Sequence, residues 1–177
     1  MRIAKYLVIL VISFGFVSGA FASDAFLSQF KAGKWEGQVM NSVTPDFKGK
    51  KFSAMTEVAD SEVKVKVKWD NTAGQAGEEW KITPTQLIQT EYDASGKVIG
   101  TYAADLRQGA TAGERTFDIH CANREAKQCD NGVDPNNYWI LKTDGTQLNY
   151  VTRGLRDAND PSSLGERHFF QLKYIGQ

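Results

Sequence analysis

The sequence predicts an all-β protein: one up-and-down antiparallel barrel of about eight to ten strands behind a short N-terminal helix. Three observations carry this. Apolar and polar residues alternate with a period of two along most of the chain, most cleanly in Val63-Lys64-Val65-Lys66-Val67-Lys68-Trp69. Turn residues break these runs at the roughly 8–12-residue spacing of an all-β sandwich or barrel. No stretch after Lys31 sustains a helical period.

Residues 1–22 read as a secretory signal peptide. Arg2 and Lys5 form a basic start, Tyr6 to Val17 an apolar run, and Ala20-Phe21-Ala22 a small-residue cleavage site. The run is short for a membrane span. No cysteine stands directly after the cleavage site, so the sequence does not support a lipid anchor there. Residues 23–177 then form one domain, placed in the periplasm or outside the cell, where a disulfide is permitted. The whole chain of 177 residues is neutral, with 21 basic and 21 acidic side chains. Without Arg2 and Lys5 the domain is slightly acidic. That argues against nucleic acid as a partner.

Ser23 to Lys31 predicts the short helix, with Ser23 as its cap and Phe26, Leu27 and Phe30 on one face. The first strand is Trp35 to Val43. In the second, Phe52, Ala54, Thr56 and Val58 alternate with Lys51, Ser53, Met55 and Glu57. The third is the Val–Lys run to Trp69. Asn71 to Gly77 links it to a fourth, in which Trp80 and Ile82 share a face opposite Glu79 and Lys81. Asp93-Ala94-Ser95-Gly96 divides Leu87–Tyr92 from Val98–Ala104. Phe117, Ile119 and Cys121 share a register in the seventh. Asp144-Gly145 marks a hairpin between Tyr138–Thr143 and Thr146–Arg153. The last strand alternates through His168, Phe170, Leu172 and Tyr174. All four prolines fall between the runs. Short connections favour a meander, and a long meander removes its edges by closing. A lipid-embedded barrel is the competing architecture. It is disfavoured because most runs are shorter than a spanning strand and several are polar on both faces.

Gly33-Lys34-Trp35, after a short helix and at the start of the first strand, resembles the G-x-W signature of the lipocalin and wider calycin group. The resemblance implies that Trp35 plugs the closed end of the barrel. It also implies that a basic residue near the end of the last strand covers it, and Lys173 fits that place. Arg167 sits at the strand's other end. Fatty-acid-binding, nitrobindin-like and streptavidin-like barrels are neighbouring possibilities for the same meander. The resemblance carries architecture more than activity.

A barrel of this size is wide enough for one small ligand. The inward registers place Phe52, Val65, Val67, Trp69, Trp80, Tyr102, Phe117, Tyr150, His168 and Phe170 as the candidate ligand-binding wall. Aromatic residues with polar tips suit a small apolar or amphipathic molecule. Cys121 and Cys129 predict a disulfide, worth about 2.5 kcal/mol in the chain-entropy model. It would staple the start of a long loop, Ala122 to Asn137, which suits a lid or a protein-recognition finger. The leading expectation is therefore sequestration or carriage of a small ligand. The first alternative is a protein–protein module of hydrolase-inhibitor type acting through rim loops. The second is a barrel isomerase or cyclase, or a haem barrel using a histidine such as His168. No cofactor is otherwise implied. The sequence offers no catalytic set and no metal set: G-x-S-x-G, H-E-x-x-H and glycine-rich phosphate loops are missing from it.

Overall fold

A computed structural model describes residues 24–70, 75–107, 111–124, 137–157 and 160–177, with the backbone alone for 120–124 and for 161. The proposed leader and Ser23 lie outside the described residues, as do most of the long loop and Cys129. The side chain of Cys121 does too, so the disulfide is neither seen nor contradicted.

Ten strands form one closed antiparallel barrel in which every strand pairs with its chain neighbours and the last pairs with the first. They are β1 (Gly33–Ser42), β2 (Lys51–Ala59), β3 (Glu62–Trp69), β4 (Gly77–Ile82) and β5 (Gln86–Tyr92). β6 (Val98–Leu106), β7 (Glu114–Arg124), β8 (Tyr138–Thr143), β9 (Gln147–Leu155) and β10 (Leu164–Gly176) complete it. The alternation read from the sequence is the alternation of burial. In β3, Val63, Val65, Val67 and Trp69 are buried and Lys66 and Lys68 are exposed. Outside, Lys66 pairs with Glu57 at 2.6 Å and Lys81 with Glu62 at 2.6 Å. Such exposed pairs contribute little stability, but charges on the outer face keep it wet. Apolar inside and charged outside is the reverse of a lipid-embedded barrel.

The turns follow from local chemistry. Asp144 Oδ1 accepts the Thr146 and Gln147 amides at 2.8 Å each, and Gly145 holds the left-handed φ of 82° that the Asp-Gly turn requires. Asp93 does the same for Ser95 and Lys97.

The end of the barrel at the start of β1 is plugged. The segment before β1 is a single 3-10 turn, Leu27–Gln29, rather than the expected helix. Phe30 is already extended, so the chain leaves for β1 before a second turn can form. Asp24 takes the capping place expected of Ser23. Its Oδ1 accepts the Phe26 and Leu27 amides at 2.9 and 3.1 Å, and Arg115 Nη2 donates to it at 3.1 Å. Arg115 also lies over the Phe26 ring, 4.9 Å from its centroid. Phe26, Leu27 and Phe30 are buried beside Trp35 in one continuous core.

The end of β10 does lie beside the start of β1, but the expected cover of Trp35 by Lys173 is corrected. Lys173 is exposed and opposite Glu36, while Trp35 is opposite Tyr174, 5.3 Å away ring to ring. Neighbouring residues of a strand face opposite sides, so a displacement of one position moves the role from lysine to tyrosine. A basic residue still enters the stack: Lys31 Nζ sits 5.4 Å from the Tyr174 ring.

Candidate functional site

The opposite end of the barrel is a mouth lined by polar residues. Its floor is aromatic. Trp69 packs against Phe52 at 4.6 Å and Phe170 at 5.8 Å, and Tyr150 stacks on Phe170 at 5.5 Å. The β1–β2 connection folds over part of it. Pro45–Phe47 makes one 3-10 turn, and Phe47 reaches Trp69 at 4.8 Å and both His168 and Phe170 at about 6 Å.

Inside the mouth is a buried polar network on β4, β5 and β9. Glu78 is 6% exposed and sits among Trp80, Gln89 and Tyr150. Its Oε2 accepts from Trp80 Nε1 at 2.7 Å and from Gln89 Nε2 at 3.1 Å. Its Oε1 accepts from Gln75 Nε2 at 2.6 Å. Tyr150 Oη donates to Gln89 Oε1 at 2.7 Å, which extends the chain of bonds to β9. The Trp69 indole also faces the carboxyl and favours its charge, without closing a hydrogen bond of ordinary geometry. Burial raises the Glu78 pKa to about 7, and the donated bonds only partly oppose this. Burial likewise raises Tyr150 well above the ordinary phenol.

His168 lies across the mouth on β10. Burial lowers its pKa to about 4, with Arg167 adding to the effect, so the ring is neutral at pH 7. Its Nδ1 is 2.9 Å from Ser42 Oγ, which already accepts the Thr44 amide at 2.9 Å.

Two cavities share Gln89, Glu91, Thr152 and His168 and are lobes of one space. The larger, about 250 Å³, adds Thr44, Phe47, Gln75, Glu78, Tyr150 and Phe170. The smaller, about 140 Å³, adds Tyr102, Ile119, Asn137, Trp139, Arg153 and Arg167. Three buried polar atoms lack a hydrogen-bond partner among the described residues: Trp69 Nε1, Thr152 Oγ1 and Arg153 Nε. All three belong to this end of the barrel. Unpaired buried donors are rare, and a cluster of them marks a place that receives a ligand or water.

The sequence-predicted wall therefore divides. Tyr102, Tyr150, His168 and Phe170 line the cavity. Phe52, Trp69 and Trp80 form its floor or hold Glu78. Val65, Val67 and Phe117 are buried in packed core below it. Their inward register is as expected, but they fill the barrel rather than wall a void. Glu78, Gln89 and Phe47 escaped the sequence reading. Glu78 stands in the inward register of Trp80 and Ile82, and Gln89 in that of Leu87, so a carboxyl and an amide on an apolar face were the available signal. Phe47 lies in a loop, where alternation says nothing. Among the described residues, no group of three or more His, Cys, Asp or Glu is placed to share a metal ion. The chain matches no protein-family model, no curated protein and no solved structure.

Proposed function

We propose that this barrel binds a small, ring-sized amphipathic molecule in its mouth and acts by sequestration or carriage. The observation that carries the reading is the 250 Å³ lobe, with Phe47, Phe170 and Tyr150 on one side and the Glu78–Gln89 network on the other. A cavity of about 150 Å³ is enough for benzene. The packed core below the lobe leaves no depth for a long acyl chain, so the ligand is compact. The plug at one end and the cavity at the other agree with the calycin-like arrangement implied by Gly33-Lys34-Trp35. The leader-like residues 1–22 support action outside the cytoplasm.

Native mass spectrometry of the protein as isolated, followed by calorimetry with single-ring compounds, tests this. A retained small mass or a saturable heat is expected. Thr152 lines both lobes, so Thr152→Phe should abolish binding while the far-ultraviolet dichroism stays that of a β-barrel. If Thr152→Phe binds like the parent, the ligand sits elsewhere. A second reading has one specific support. A carboxyl with pKa about 7 inside a cavity is poised for acid–base chemistry. Under it, Glu78→Gln would retain binding and lose turnover.

A further inference from the structure

We infer that the larger lobe of the mouth is built for an organic ammonium group, with Glu78 as its counter-charge. This rests on the mouth being the binding site and names the class of molecule that enters it.

Every hydrogen bond that Glu78 makes to a described residue is one it accepts. Gln75, Trp80 and Gln89 donate to it, and the Trp69 N–H faces it. Such a shell suits a carboxylate, since a protonated carboxyl would have to find an acceptor for its own proton. Yet among the described residues lining the lobe none is Lys or Arg. Among the described residues the charge that acts on Glu78 is that of Glu91, which repels it. Buried charges in proteins are paired. Here the shell is arranged for a negative charge, and the described lining of the lobe supplies no positive one. A ligand that brings the cation completes the site.

The remaining walls agree with an organic cation rather than an inorganic one. Phe47, Phe170 and Tyr150 make the lining rich in aromatic rings, which attract ammonium and its attached carbons. His168, the other titratable group facing the lobe apart from Glu91 and Tyr150, is neutral at pH 7 and does not oppose a cation. The two arginines are confined to the lining of the smaller lobe.

The test compares benzylamine, benzyl alcohol and benzoate, three ligands of one ring with different charge, by titration calorimetry on the full domain. Benzylammonium should bind most tightly. Glu78→Gln should weaken it by about ten- to a hundredfold, the worth of a charge-assisted bond, and leave benzyl alcohol little changed. The parent protein gives an independent readout. With Glu78 titrating near 7, benzylammonium affinity should rise about tenfold from pH 6 to pH 8, and at pH 6 binding should release a proton. If benzyl alcohol or benzoate binds as well as the amine, or if amine affinity falls as pH rises, the ammonium inference is overturned and the mouth remains a binding site. If none of the three binds, the binding reading itself fails.

Discussion

Glu78 is one acidic side chain among many in the sequence, and its register makes it different. Its pKa rises from an ordinary 4.5 to about 7 in the fold, so between those values the folded state holds a proton that the unfolded chain has lost. Stability therefore falls as pH rises through that window, by about 3 kcal/mol when complete. His168 works in the opposite direction. Its pKa falls from 6.5 to about 4, so its neutral form favours folding and stability is lost as pH drops below 6.5. The two slopes oppose each other between about pH 4.5 and 6.5, and above that Glu78 acts alone. The expected outcome is a melting temperature that declines from pH 6.5 to 8 in the parent and stays level in Glu78→Gln. A parent whose melting temperature is flat across this range would show that Glu78 is solvated. Gly37 gives a second prediction at this scale. A Cβ there would lie 2.2 Å from the Phe52 ring. Gly37→Ala should cost about 1–3 kcal/mol by overpacking, read from urea unfolding. Phe52→Leu in the same chain should recover part of it, because the clash is with ring atoms.

The segment before β1 is the element least like its sequence reading, and it carries an energetic role that alternation could not reveal. Asp24 joins the Phe26 and Leu27 amides to Arg115 on β7, from the far side of the barrel's circuit. Burial pushes the Asp24 pKa up, but those bonds outweigh it and hold the carboxyl below its usual value. Asp24→Ala and Arg115→Ala should each destabilise. Because both break one node, the double mutant should fall short of the sum by about 0.5–3 kcal/mol, measured by denaturant midpoints. Full additivity would mean the two groups act separately. The strands were legible because each has one buried and one wet face, a pattern that survives without any knowledge of partners. Even the seam was legible, since a closed meander must bring Trp35 beside the end of β10. What failed was a single step of register, Lys173 for Tyr174, since strand ends blur by a residue and one residue changes the face. The site was half legible for a related reason. Tyr150, Phe170 and His168 show themselves as aromatic residues in inward registers. Whether such residues fill the barrel or border a space depends on three-dimensional packing, which separates Phe117 from Tyr102 though both point inward.

At the scale of the whole molecule, closure is what distinguishes this fold from an open sheet. β1 meets β10 across nearly the full length of the chain, from Lys34 opposite Gly176 to Ser42 opposite His168. Bringing such distant segments together costs loop entropy that grows only slowly with length, while an unclosed barrel would leave two edges with unpaired amides. The seam should therefore be as protected as any other pair of strands. It should also fail as a unit, because releasing β10 exposes β1 and β9 together. Gln171 is a suitable probe. It is paired with Gln38 on one side and Asn149 on the other, and its side chain is on the outer face, opposite to that of Phe170. Gln171→Pro removes one ladder hydrogen bond and leaves a buried carbonyl without its donor, a loss of about 1–3 kcal/mol. Amide hydrogen exchange on the parent should show slow exchange in β1 comparable with that in β5. In Gln171→Pro, protection should fall across β1, β9 and β10 together, and the plug amides of Phe26 and Leu27 should follow, since their segment runs directly into β1. Loss confined to the amides next to position 171 would show that the barrel tolerates an open seam, and closure would then contribute shape without cooperativity.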